Sequence, residues 1–404
     1  MKKNGMELGV WLRVVFCVLL AGIGRAQEEG IEAPVRLGGQ IGLDPSLRRE
    51  AQAALDRGVT WLLARQDARG FWSNPEFPAL TALPLWALAA AEVDRPAAIE
   101  AAIGYLLDCV HPNGAIYREP TEDRRGGGLP TYNTALSMTA LAAVNRPELT
   151  PVILKARAYV ADSQALEGTD LYEGGFGYDA QTGRAYADLS NTVIALEALR
   201  LTEHLEDQRT EGERADPDWE AAQRFLARVQ HLPETNPAGW VDDSPAQRGG
   251  FIYRPDQSQA GTIEREDGTV TFRAYGSMTY AGLLSLIFAG VDRDDPRVRS
   301  AFDWSVRHWC LAENPGMGTS GLFYFYNVLS KALAAYGRTQ FTTDAGAEVN
   351  WRAELARTLI AQQQIEPDTG AGYWVNADGR WWEADPVLVT AYSLLALDMA
   401  LTAP

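Results

Sequence analysis

The residues best suited to chemistry in this chain are a few acids set among aromatic side chains. Asp188 stands in "ADLSNT", with Asn191 one helical turn further on. Glu383 and Asp385 follow Trp381 and Trp382, and Trp374 lies just upstream in "GAGYWVNADGRWWEADP". Tyr132 and Asn133 open one apolar stretch, and Tyr275 and Tyr280 open another. A carboxyl group buried beside tryptophan has a raised pKa, which suits it to donate a proton to a neutral substrate. Asp188 is therefore the candidate catalytic acid, although an aspartate in that place also caps the helix that follows. Tyr132, Asn133, Asn191, Tyr275, Tyr280, Trp374, Trp381, Trp382 and Asp385 are the candidate ligand contacts.

Other chemistries find no support. "DRDD" at Asp292–Asp295 is acid-rich, but Pro296 and an amphipathic helix follow at once, so Asp294 or Asp295 is expected to be a helix cap. His308 and Cys310 lie two apart on an outer helix and so face different directions, and His111 lies two beyond Cys109. With four histidines in all and no clustered set of ligands, no tetrahedral zinc site and no cofactor are expected. No glycine-rich phosphate loop, serine elbow or H-E-x-x-H motif appears. A formal charge of -17 argues against a nucleic-acid partner and against docking on anionic lipid.

The elements that must position these residues follow from a repeat. A threonine is followed six residues later by Ala or Ser and then Leu, at Thr81, Thr134, Thr192, Thr279 and Thr390, and Tyr326 holds the same register in a sixth segment. Each lies in a stretch that is apolar on nearly every side, the pattern of a buried helix. Between them run amphipathic segments over about 47–65, 96–108, 151–164, 217–230, 296–311 and 351–364. Six buried helices alternating with six amphipathic ones predict an all-α chain, an (α/α)6 toroid with an inner and an outer ring, over residues 45–404. Inner-to-outer links are mostly short. Outer-to-inner links are long and rich in Gly and aromatics, so the ligand site is expected at the N-terminal face of the inner helices.

Residues 1–26 have the pattern of a signal peptide. Lys2, Lys3 and Arg13 precede an apolar run from Val14 to Ile23 that is too short to span a bilayer, and Gly24–Ala26 supplies small residues for cleavage. An uncleaved anchor is the alternative. Residues 27–44 form a linker. The expectation is an exported protein, periplasmic or secreted, with no membrane span once the signal is removed. Cys109 and Cys310 end the second and fifth outer helices, on opposite sides of a six-membered ring, so both are expected to be free thiols.

Gln66, Gly70 and Trp72 match the Q-x-x-x-G-x-W repeat of squalene and oxidosqualene cyclases, and "GGFGY" and "GGFIY" resemble the glycine-rich turns of protein-prenyltransferase β subunits. The chain thus resembles the squalene-cyclase and protein-prenyltransferase toroids over residues 47–401. The resemblance implies an apolar isoprenoid-type ligand. The catalytic motifs of those families are not recognisable: the acidic run lies in the wrong link, and "TFRAYGSMTYAGL" offers neither the Asp nor the Cys of a zinc site.

Three functions compete. The first is binding or turnover of an apolar isoprenoid, predicting a deep aromatic pocket. The second is a non-catalytic scaffold for a protein partner, predicting a plugged centre. The third is a carbohydrate-active hydrolase or lyase using Asp188, Glu383 and Asp385, predicting an open groove with facing carboxylates.

Overall fold

The computed structural model describes residues 42–120, 128–166, 171–179, 186–209 and 212–402. The expected signal peptide and nearly all of the linker lie outside them.

Outer helices are α1 (Pro45–Ala64), α3 (Pro96–Leu107), α5 (Thr150–Asp162), α8 (Trp219–Arg228), α10 (Pro296–Arg307) and α12 (Trp351–Gln362). Inner helices are α2 (Ala79–Ala90), α4 (Pro130–Ala143), α6 (Leu189–Leu201), α9 (Gly276–Phe288), α11 (Leu322–Tyr336) and α13 (Pro386–Leu401). The inner helices pack in the order α2, α4, α6, α9, α11, α13, and α13 returns to pack on α2. The ring is closed, as the alternation of buried and amphipathic segments predicts. Every residue of α9 is buried, because neighbours on both sides, the outer layer and the barrel centre all cover it.

The structure adds elements that periodicity did not foresee. A short helix α7 (Glu203–Asp207) follows α6. Antiparallel hairpins pair β1 (Thr262–Glu264) with β2 (Val270–Phe272), and β3 (Gln340–Thr342) with β4 (Glu348–Asn350). The second hairpin and α7 both sit in inner-to-outer links, a class that is short elsewhere in the ring. A further pair, β5 (Gln364–Ile365) and β6 (Gly372–Tyr373), lies in the last outer-to-inner link.

The repeat threonine has a definite task. Its Oγ1 accepts the backbone N–H of the loop residue that crosses above it: Trp72 to Thr81, Ile116 to Thr134, Phe176 to Thr192, Phe251 to Thr279 and Trp374 to Thr390. Five of the six outer-to-inner loops are thereby pinned to the top of their inner helices, and in the sixth the Tyr326 hydroxyl donates to the Leu311 carbonyl. The glutamine at the end of an outer helix fastens the other side of the same loop. Gln66 Nε2 donates to the carbonyls of Gly70 and Ala98, Gln164 to those of Gly174 and Asp218, and Gln230 to those of Gly249 and Arg297. The glycine is obligatory. Gly70 has φ of 94°, and a Cβ there would stand 2.0 Å from the Ala101 carbonyl oxygen on α3. Gly174 repeats this against α8, with the Ala221 carbonyl oxygen at 1.9 Å. Trp72 closes the motif, its Nε1 donating to the Leu62 carbonyl at 2.7 Å.

Asp295 caps α10, accepting from the Arg297 N–H at 2.8 Å. Both described cysteines are free. No helix among the described residues is long and apolar enough to cross a membrane.

Candidate functional site

A cavity of about 520 Å³ opens among the N-terminal turns of the inner helices. Its wall follows the repeat. The residue two before each marker position (Ala79, Tyr132, Ser190, Ser277, Tyr324 and Leu388) lines it on all six inner helices, and Leu83, Ile194 and Tyr392 line it one turn deeper. Loop residues complete the wall, among them Tyr178 and Tyr253, which end the "GGFGY" and "GGFIY" turns. Trp381 and Trp382 stand at the outer end, 44% and 49% exposed. Both hold positive φ, 55° and 71°, a costly conformation for a large L-residue. Phe77 packs edge-on against Trp382 at 5.0 Å between centroids.

Six tyrosines face this space: Tyr132, Tyr178, Tyr253, Tyr275, Tyr324 and Tyr392. Burial pushes every one of these phenols above its ordinary pKa, so all stay neutral. Tyr132 lies beside Tyr392, and Tyr253 beside Tyr178 and Asp188. The hydroxyl of Tyr324 is buried and has no hydrogen-bond partner. Its ring lies 6.0 Å from that of Tyr392.

The acids named from sequence turn out to be helix caps. Asp188 is fully buried at the N-terminus of α6. It accepts from Asn191 N–H at 2.9 Å, Asn191 Nδ2 at 2.8 Å and Ser190 Oγ at 2.7 Å, and the Tyr253 phenol lies beside it. Burial pushes its carboxyl above the usual range, while these donors pull the other way. Asp385 caps α13 through the Val387 N–H at 2.9 Å and also accepts from Ser73 Oγ. Glu383 caps α11 from another segment, accepting the Tyr324 N–H at 2.7 Å and Asn376 Nδ2 at 2.6 Å. Burial raises its pKa as well.

Other inner helices are capped from neighbours too. Asn133 Oδ1 accepts the Ala79 N–H of α2 at 2.9 Å, and Asn314 Oδ1 accepts the Ser277 N–H of α9 at 2.9 Å. The helix N-termini around the mouth thus have N–H groups already occupied by protein oxygens, which weakens them as anion sites. No lysine or arginine lines the cavity among the described residues.

The cavity therefore gathers Tyr132, Asn133, Tyr275, Trp381, Trp382 and Glu383 from the residues singled out in the sequence. It leaves five of them behind the wall. Trp374 is completely buried as a loop staple, its Nε1 donating to Leu359 O. Tyr280 packs against Phe325 at 5.7 Å between centroids, on the side of α9 turned from the cavity. Asp188, Asn191 and Asp385 lie in caps. Sequence reading missed Tyr178, Tyr253, Tyr324 and Tyr392, whose signal was their fixed offset from the repeat position or from the "GGF" turn. Among the described residues no cluster of metal-ligating side chains occurs.

No family model matches the sequence, and no curated protein does. Solved structures do match. The ligand-free type II terpene cyclase MstE from Scytonema aligns with a TM-score of 0.51 at 15% identity, over 88% of this chain and 98% of that one. A variant of MstE in complex with its substrate, geranylgeranyl dihydroxybenzoate, gives 0.51 at 14% identity, over 89% and 99%. A variant in complex with the product, merosterolic acid A, gives 0.50 at 14% identity, over 89% and 99%. The chain has the α/α-toroid fold of the type II terpene cyclases.

Proposed function

We propose that the protein binds a neutral, mostly apolar molecule of the isoprenoid class in the inner-ring cavity, with an oxygen-bearing head directed at the tyrosines. One observation carries this reading: the cavity wall is aromatic and aliphatic, its phenols are neutral, and one of them, Tyr324, presents a buried hydroxyl with nothing to bond. A volume of about 520 Å³ is within the ~300–1,000 Å³ typical of small-molecule sites. Apolar surface supplies affinity at roughly 25 cal/mol per Å² buried, and the hydroxyl supplies orientation. A charged diphosphate is disfavoured, because the described wall holds no cation and the nearby helix ends are capped from within. A sugar is disfavoured too: Glu383 is the single carboxylate in the described wall, and both its oxygens accept from protein donors. The same-fold cyclase takes a substrate of matching character, a geranylgeranyl chain on a dihydroxybenzoate head.

In this reading Asp188 is a positioning residue that acts on the ligand through Tyr253. Aromatic faces around the cavity also suit any cationic character that develops on a bound alkene. Native mass spectrometry of protein purified from its host tests the proposal. A co-purifying neutral lipid supports it, and a bound glycan or phosphorylated ligand overturns it.

We further infer export, from the signal-peptide pattern of residues 1–26. Amino-terminal sequencing of the mature protein should begin at Gln27. A chain that retains Met1 or its neighbours contradicts this.

A further inference from the structure

We propose that Glu197, Lys331 and Trp86 form a polar floor across the barrel that limits how deep the apolar chain of a ligand enters, and so sets its permitted length. The inference rests on the binding reading above and deepens it.

The floor emerges from the same register as the wall. Five residues beyond each repeat marker stand Trp86, Thr139, Glu197, Leu284, Lys331 and Leu395, one per inner helix and all buried. None of them lines the cavity, whereas the residues three positions earlier on α2, α6 and α13 do. At 1.5 Å rise per residue this ring lies roughly 10 Å below the outermost wall residues and about 4.5 Å below the deepest. Lys331 Nζ stands 3.0 Å from Glu197 Oε2 and 4.0 Å from the centre of the Trp86 ring. These residues come from α11, α6 and α2, alternate members of the ring, so their side chains meet across the bore rather than between neighbours.

An ion pair is an odd choice for the middle of a barrel whose other buried side chains at this depth, Trp86, Thr139, Leu284 and Leu395, are all neutral. It is enclosed, with side-chain exposures of 7% and 6%. It is also incompletely satisfied: Glu197 Oε1 has no partner, and neither does Asn327 Oδ1, one turn above Lys331 on the same face of α11. A hydrocarbon chain pushed to this depth would have to part the pair and leave each charge against apolar surface, which is strongly unfavourable. A leucine in either place would yield to the chain far more readily. The charges therefore act as a stop that apolar matter does not pass, while the cation over Trp86 holds the third corner.

The test compares wild type with the double variant Glu197→Ala/Lys331→Ala, which removes both charges together. Each is titrated with farnesol, geranylgeraniol and hexaprenol, following intrinsic tryptophan fluorescence, and folding is checked by circular dichroism. Wild type should bind the shorter alcohols and disfavour hexaprenol. The double variant should improve for hexaprenol relative to farnesol by about tenfold or more. Should the double variant fail to fold, Trp86→Ala alone is expected to move the preference in the same direction. Unchanged relative affinities in a folded variant overturn the floor while leaving the binding reading intact. If wild type binds none of the alcohols, the binding reading fails and the floor proposal falls with it.

Discussion

The phenol of Tyr253 lines the cavity and lies beside Asp188, a carboxylate buried one layer behind the wall. Asp188 caps α6 and stands directly behind the rim of the cavity. Truncation should register in both. Asp188→Ala is expected to cost about 2 kcal/mol from the lost cap and the stranded donors, measured by urea denaturation. Tyr253→Phe keeps the cap. It should lower ligand affinity severalfold with less effect on stability. Equal stability losses in both variants would falsify the assignment of the cap to Asp188.

Tyr324→Phe separates binding from folding most cleanly. The hydroxyl has no protein partner, so its removal leaves stability unchanged or slightly improved. Affinity for a hydroxyl- or carbonyl-bearing ligand should drop about fivefold to tenfold, corresponding to the ~1 kcal/mol of one net hydrogen bond. Thermal melting and a titration on the same sample give both numbers. A large fall in melting temperature would mean that the hydroxyl has a structural partner after all.

His231 makes the protein sensitive to acid. Its ring is buried against Trp240, with Nε2 at 2.8 Å from the Phe272 carbonyl and Nδ1 accepting the Asp242 N–H at 3.0 Å. Burial holds its pKa down at about 4, from an ordinary 6.5. A folded-state pKa below the unfolded one means that the unfolded chain binds the extra proton in that window. Stability from this group is complete above pH 6.5 and is lost as pH falls towards 4, by up to about 3 kcal/mol. The wild-type stability curve minus that of His231→Gln should show this slope. A flat difference between pH 4 and 6.5 contradicts it.

Gly70→Ala should be among the most damaging conservative changes in the chain. The added methyl meets the Ala101 carbonyl oxygen, and the positive φ adds its own strain. The expected loss is about 3 kcal/mol or more, read from the denaturation midpoint. Gly239→Ala, where a Cβ meets nothing within 4 Å, serves as the control and should be nearly neutral.

The architecture was legible because a closed ring imposes the same demands six times. Thr81, Thr134, Thr192, Thr279 and Thr390 recur since each must hold a loop amide, and apolar periods recur since each inner helix is walled on all sides. The site was less legible. Asp188, Glu383 and Asp385 attract notice as acids, but a helix N-terminus asks for the same residue types as a proton donor does, and only geometry separates the two. Trp374 and Trp72 share a staple role that resembles a ligand platform in sequence. Tyr324 and Tyr392 were hidden inside apolar helices, where a tyrosine looks like core until the register shows it facing the bore. The hairpin over Gln340–Asn350 escaped notice because its strands are too short for an alternating pattern to emerge.

The central claim is that the barrel mouth receives an apolar chain with its oxygen at the tyrosine ring. A crystal structure of the protein soaked with geranylgeraniol tests it most directly. The account predicts the prenyl chain between Leu83, Ile194 and Leu388, with its hydroxyl within hydrogen-bond reach of Tyr324. An empty cavity at saturating alcohol, or the chain lying on the outer surface, would contradict it.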